Sequence, residues 1–129
     1  MANQFVVQLK NEPGSMANLA EALAARGVDL RAIGGGGIGD AGHVIMTTAD
    51  DDTTKAVLDE GGYTYIEGES ILTEVDDKPG GMAALSRQLA DAGVNIYGHL
   101  FLGRWGDRAM FAFVVDDPDR ARPILERKR

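Results

Sequence analysis

Apolar positions follow two alternating patterns along the chain, one typical of strands and the other typical of helices. Residues 5–10 begin with aromatic and β-branched side chains and predict a strand. After Pro13-Gly14, apolar side chains fall at positions 16, 19, 20, 23 and 24, which is the spacing of a helix with one buried face. Gly27 then predicts the end of this helix, because glycine readily adopts the left-handed conformation of a helix C-terminus.

The first half of the chain continues with a hairpin, a second helix and a last strand. The predicted elements are a strand over 28–33, a turn over 39–42, a strand over 43–48, a helix capped by Asp51 or Asp52 and ended by Gly61, and a strand over 63–67. The order strand-helix-strand-strand-helix-strand predicts an α+β fold. Two right-handed crossovers then give a four-stranded antiparallel sheet with both helices on one face, the ferredoxin-like arrangement.

The pattern occurs twice. Residues 11–58 align with residues 77–124 at a constant offset of 66, without a gap. Pro13-Gly14 returns as Pro79-Gly80, Gly27-Val28 as Gly93-Val94, and Asp50-Asp51 as Asp116-Asp117. A repeat of this length indicates one supersecondary unit built twice. The sequence therefore predicts two tandem βαββαβ units, residues 1–68 and 69–129.

The second half departs from the first at its end. Its predicted elements are a strand over 71–75, a helix from Met82, a hairpin of 94–102 and 108–115 around a turn at 103–107, and a helix capped by Asp117 with Pro118 at its first position. Pro123 should kink or shorten that helix, and no final strand follows. The strand 71–75 would then be a sheet edge, covered either by residues 63–67 or by a second chain. We expect a homodimer formed by sheet extension.

Composition narrows the classes of partner. The 129-residue chain has a net charge of -7 and no cysteine. An acidic chain lacks the basic face that nucleic acid or anionic membrane requires, so neither is expected as a partner. No apolar run approaches the roughly 20 residues that cross a bilayer, and the N-terminus does not read as a signal peptide. We therefore expect a soluble, cytoplasmic protein.

Two motifs give each half a resemblance to a known family. Asn11-Glu12-Pro13-Gly14-Ser15-Met16 and Asp77-Lys78-Pro79-Gly80-Gly81-Met82 fit the strand-to-helix corner of ACT domains, and Gly-Val-(Asp/Asn)-(Leu/Ile) at 27–30 and 93–96 fits a later position. The resemblance covers about residues 4–68 and 70–126. ACT domains are small regulatory modules of amino-acid metabolism, so the resemblance implies a tandem ACT-type protein that binds a free amino acid.

The corner is chemically suited to a small zwitterion. The first turn of a helix has unpaired N–H groups and the positive end of the helix dipole, which stabilise a carboxylate. Glycines leave this turn open, and Asn11 or Asp77 can accept hydrogen bonds from an ammonium group. The resemblance places the ligand between this corner and the second strand of a neighbouring unit, around 33–36 or 97–100. The candidate ligand-binding residues are Asn11, Pro13, Gly14, Ser15, Met16, Gly34, Gly35, Asp77, Pro79, Gly80, Gly81, Met82, Tyr97 and His99.

The glycine run 34–39 formally matches a dinucleotide-binding fingerprint, but a strand rather than a helix follows it, so that site is rejected. Glycines within a strand indicate a close backbone approach or simple flexibility, and both interpretations stay open.

Metal sites are not expected. His43 and His99 do not form a metal-ligand cluster, and the acidic run 50–52 is better explained by helix capping than by calcium. Trp105, in the predicted turn, is expected to be a packing anchor.

These observations favour a non-catalytic regulatory or sensor protein, without a cofactor, that acts on a partner enzyme of amino-acid metabolism. No arrangement of catalytic side chains can be drawn from the sequence. Two alternatives remain. One is a small enzyme on the same fold, such as a dimeric α/β-barrel monooxygenase or a glyoxalase-like metalloenzyme. The other is a regulatory subunit without a ligand.

Overall fold

The structure, a computed structural model, describes residues 3–126 and divides into two compact units, residues 1–68 and 69–129. The elements of the first unit are β1 (Asn3–Lys10), α1 (Ser15–Ala25), β2 (Leu30–Ile38), β3 (Ala41–Thr48), α2 (Asp51–Glu60) and β4 (Tyr65–Glu69). No helix among residues 3–126 is long and apolar enough to cross a membrane.

The first unit has the predicted ferredoxin-like fold. Its sheet has the order β2-β3-β1-β4, with antiparallel pairing of β1 and β2 to β3. Strand side chains alternate between the two faces, so one face of β1 and β3 is apolar and packs against the helices. The core on this face consists of Phe5, Val7, Val44 and Met46 from the sheet, Leu19 and Leu23 from α1, and Val57 and Leu58 from α2.

The second unit repeats the arrangement as far as its second helix. Its elements are β5 (Ile71–Asp76), α3 (Gly81–Asp91), β6 (Ile96–Trp105), β7 (Arg108–Val115) and α4 (Pro118–Leu125). The sheet order is β5-β7-β6, so within the described residues β5 lies at an edge. The Thr73 hydroxyl of β5 donates a 2.5 Å hydrogen bond to the Leu125 carbonyl, which ties the end of α4 to this strand. Coverage of β5 by residues 63–67 was a wrong expectation, because β4 pairs beside β1 in the first sheet and is not part of the sheet that contains β5.

The repeat contains a one-residue insertion that the ungapped alignment missed. Gly35 pairs with Val44 as Phe101 pairs with Phe111, but the next pairs are Gly36 with His43 and Gly103 with Met110. Leu102 is therefore an extra residue in a β-bulge. The offset between the two units rises by one residue after this point. As a result Arg104 corresponds to Gly37, and Trp105 ends β6 rather than lying in the turn.

The N-caps of α2 and α4 agree with the larger offset between the two units. Asp50 caps α2, because its carboxylate accepts a 3.0 Å hydrogen bond from the Thr53 N–H, so the prediction of Asp51 or Asp52 was wrong. A hydrogen bond from the Thr53 hydroxyl is the main reason that the pKa of Asp50 lies below its usual value. The Asp117 carboxylate caps α4 in the same way, 3.1 Å from the Arg120 nitrogen, so Asp50 corresponds to Asp117 and not to Asp116.

One tyrosine should titrate abnormally. The Tyr65 hydroxyl donates a 2.6 Å hydrogen bond to Asp59, and this bond raises the pKa of Tyr65 to about 12. Because the neutral phenol is favoured in the folded state, this contribution to stability is present below pH 10 and is lost as the pH rises through about 12. We expect Asp59→Asn to lower this pKa towards 10, measured by phenolate absorbance, and Tyr65→Phe to remove the high-pH transition. An unchanged transition in Asp59→Asn would contradict this assignment.

Candidate ligand-binding corners

The first corner lies where β1 ends and α1 begins. Gly14 precedes the helix with a φ of 92°, a left-handed conformation that favours glycine. No side chain caps α1, and its first turn contains no acidic residue, whereas Asp50 and Asp117 cap α2 and α4. The α1 terminus therefore presents backbone N–H groups without a side-chain acceptor, as an anion site requires.

Asn11 joins this corner to the β2–β3 turn. Its backbone N–H donates to the Asp40 carbonyl oxygen at 3.0 Å, and its side-chain Nδ2 donates to the Gly39 carbonyl oxygen at 2.9 Å. Because the amide nitrogen of the side chain is held by the turn, the amide group has a fixed orientation. The side-chain oxygen is the atom of this group that can accept from a ligand ammonium.

Two glycines of β2 lie close to neighbours within the same unit. A side chain at Gly35 would place its Cβ 2.3 Å from the His43 carbonyl oxygen, and one at Gly37 would lie 2.6 Å from the Asn11 side chain. A side chain at Gly36 would meet nothing within 4 Å. The glycine run therefore reflects close approach at two positions, of which one involves the predicted site residue Asn11.

A cleft of about 380 Å³ brings many of the predicted residues of the first unit together. Its lining includes Asn11, Ser15, Met16, Gly34 and Gly35, but not Pro13 or Gly14. Apolar side chains form part of the wall: Leu9, Met16, Ile33 and Val44. Lys10, Glu12 and His43 also line it.

Leu9, Val44 and His43 were missed as site residues. The strand register brings them there: Leu9 pairs with Gly42, and Val44 pairs with Gly35 of the edge strand β2. Strand alternation within β1 and β3 could have indicated which of their side chains share a face with the glycine run, but the pairing itself was needed to place them beside the corner.

The second corner has the same backbone geometry as the first but different side chains. Gly80 precedes α3 with a φ of 90°, and no side chain caps that helix. Asp77 donates its backbone N–H to the Asp107 carbonyl oxygen at 2.8 Å, as Asn11 does to Asp40. A Cβ at Gly81 would lie 2.2 Å from the Asp76 carbonyl oxygen, so this glycine is required by the local backbone. Gly14 and Gly80 likewise serve the backbone through their positive φ.

Two side chains of β6, Phe101 and Arg104, lie beside this corner. The Arg104 Nε lies 2.8 Å from the Asp77 carboxylate, and its guanidinium carbon lies 4.7 Å from the centroid of the Phe101 ring. Phe101 packs edge-on against Phe111 at 5.5 Å. The two aromatic positions correspond to Gly35 and Val44 of the first unit.

The remaining candidates of the second unit have different neighbours. The His99 ring packs against Phe113, with 6.2 Å between centroids, at the position that corresponds to Ile33. Met82 packs against the core. Tyr97 lies in a bulge between Ile96 and Gly98, seven residues before Arg104 and therefore about 20 Å along the strand from it. Within the second unit Tyr97 therefore does not lie at the Asp77 corner, because the hairpin end of β6 is the end that meets Asp77. Contact of Tyr97 with the corner of a neighbouring unit stays a prediction.

Comparison with known proteins was made for sequence and for structure. No family model matches the sequence, and no curated protein sequence matches it either. Several solved structures share the fold over nearly the whole chain. A protein of Bacteroides thetaiotaomicron aligns with a TM-score of 0.71 at 20% identity, covering 97% of this chain and 86% of that one.

Two of the similar structures are regulatory proteins. The regulatory subunit of aspartate kinase from Thermus flavus aligns with a TM-score of 0.65 at 18% identity, covering 98% of this chain and 90% of that one. The corresponding subunit from Thermus thermophilus, in its ligand-free form, has a TM-score of 0.61 at 19% identity, covering 97% and 87%. These likenesses show that the chain has the tandem ACT-type fold.

Proposed function

We propose that this chain is a non-catalytic regulatory or sensor protein that binds a free amino acid at the first corner. The observation that carries the proposal is the cleft beside the uncapped start of α1, which joins a polar end to an apolar wall. The structural likeness to regulatory subunits of aspartate kinase supports a regulatory role.

Each part of an amino acid has a complementary group in this cleft. The carboxylate would accept a hydrogen bond from the first-turn N–H of Met16, where the helix dipole is favourable, since the Ser15 N–H already donates to the Glu12 carbonyl oxygen at 3.3 Å. The ammonium would donate to the side-chain oxygen of Asn11. The ligand's side chain would then lie along Leu9, Ile33 and Val44, which favours an apolar amino acid.

We also propose that the protein is a cytoplasmic homodimer that acts on a partner enzyme of amino-acid metabolism. In each sheet the second strand of the unit, β2 or β6, lies at an edge. Exposed apolar side chains occupy these edges: Ile33 and Ile38 on β2, and Phe101, Leu102 and Trp105 on β6. Such edges normally pair or are covered. A single 13.7 kDa species in light scattering would contradict the dimer.

A thermal-shift screen of the twenty amino acids tests the proposed binding. We expect at least one apolar amino acid to raise the unfolding midpoint by several degrees, because a ligand at 100 times its Kd adds about 2.7 kcal/mol. The corresponding hydroxy acid, which lacks the ammonium, should give a smaller shift. A folded sample that shifts with none of the twenty would contradict the proposal and favour a regulatory subunit without a ligand.

A further inference from the structure

The two corners share one backbone geometry but differ in a pair of contacting positions. In the first unit Asn11 lies against Gly37, and in the second unit Asp77 lies against Arg104. Arg104 and Gly37 are equivalent, since each stands two residues before a turn glycine of left-handed conformation, Gly39 or Gly106. The difference therefore concerns a specific site and not the general surface of the units.

Arg104 occupies the place that the proposed function gives to a ligand ammonium. Its guanidinium is a cation bonded to the Asp77 carboxylate at 2.8 Å, and Asp77 is the counterpart of the ammonium acceptor Asn11. The Phe101 ring beneath the guanidinium stands at the position of Gly35, which lines the cleft of the first unit. Both positions hold glycine in the first unit and a large side chain in the second.

We propose that the second corner is a latent amino-acid site, closed by Arg104 acting as an internal substitute for the ligand's ammonium. This inference rests on the proposed function of the first corner and adds that one chain binds one amino acid. The closure is reversible in principle, because the Arg104 and Asp77 side chains are 62% and 31% exposed and their ion pair is accessible to solvent.

Removal of the guanidinium should open the second corner. Arg104→Gly installs the residue found at the equivalent position, frees the Asp77 carboxylate and removes the cation over Phe101. An exposed ion pair and a cation–π contact together account for about a tenfold change in affinity, so the second site should strengthen by at least about that factor. Arg87→Ala is the matched control, since Arg87 also pairs with a carboxylate of the second unit, Asp91 at 3.8 Å, but lies within α3.

Isothermal titration of each variant with each of the twenty L-amino acids, supplied singly, gives the number of sites. We expect one site per chain in the natural protein and in Arg87→Ala, and two in Arg104→Gly. Two sites in the natural protein, or a folded Arg104→Gly that binds no more amino acid per chain than the natural protein, would overturn the inference. If Arg104→Gly does not fold, Arg104→Gln removes the charge and keeps the length of the side chain, and the same counts decide.

The two proposals fail in different ways. If the natural protein binds no amino acid but Arg104→Gly binds one, the latent site is supported and the proposed function of the first corner is wrong. If neither binds any, both are overturned. A hydroxy-acid analogue, which lacks the ammonium, tests the role of Asp77. The site gained in Arg104→Gly should bind the amino acid more tightly than this analogue, because Asp77 would then pair with the ammonium.

Discussion

Replacement of Gly35 by alanine should destabilise the first unit by about 1–3 kcal/mol, a cost typical of overpacking. The added Cβ would lie 2.3 Å from the His43 carbonyl oxygen, a backbone atom that cannot move without displacing β3. Urea unfolding followed by circular dichroism measures the change, and amide hydrogen exchange along β3 localises it. We expect a lower midpoint with an unchanged slope, since the surface exposed on unfolding stays similar.

The adjacent glycine provides the control. Gly36 lies in the same strand with an ordinary φ, and a Cβ there meets nothing within 4 Å. Gly36→Ala should therefore be neutral, or stabilising by about 0.4–1 kcal/mol through the reduced entropy of the unfolded chain. Equal losses in the two variants would mean that the glycine run serves flexibility rather than the approach of β3.

Ile33→Glu should weaken amino-acid binding in the first unit while the fold stays intact. Ile33 lines the apolar wall of the cleft and is 49% exposed, so a glutamate is tolerated in the free protein. On binding, the carboxylate would have to lose water beside an apolar ligand side chain and would repel the ligand's carboxylate. We expect the Kd to rise by at least about 30-fold, which corresponds to about 2 kcal/mol.

Ile38→Glu is the matched control, because it introduces the same charge on the same strand. Ile38 is 90% exposed on the same strand but does not line this cleft. Its replacement should leave the Kd within about twofold, since screening weakens an exposed charge at a distance. The same weakening of binding in both variants would indicate a general effect of negative charge and would remove the cleft from the role proposed for it.

Much of the fold followed from periodicity. The Pro-Gly corners, the helix ends at Gly27 and Gly93, and the order of elements in each half were predicted from residue types that permit few alternatives. The register of the hairpins did not follow, because a one-residue bulge at Leu102 leaves no signal in a pattern of alternating apolar residues. The N-cap of α2 was misplaced by one or two residues, because three consecutive aspartates offer equivalent chemistry.

The candidate site was predictable only as far as its backbone. The residues of both corners were identified from the motif, and Asn11, Ser15 and Met16 do meet Gly34 and Gly35 in one cleft. Arg104 could not be identified as the partner of Asp77, because its equivalence to Gly37 depends on the bulge. Sequence reasoning had assigned the Asp77 carboxylate to a ligand, whereas Arg104 holds it in the structure.

The position of the bulge bears on how duplicated units acquire separate roles. Among residues 3–126, β6 pairs with β7 alone, so an inserted residue disturbs a single ladder of hydrogen bonds and leaves the inner strands unchanged. Each residue between the insertion and the turn is thereby shifted by one position relative to an ungapped repeat, and Arg104 takes the position of Gly37. In a duplicated module of this kind, the insertion of one residue in an edge strand can convert an open site into a closed one. Selection for a well-packed core is not affected by such an insertion, because the inner strands are unchanged.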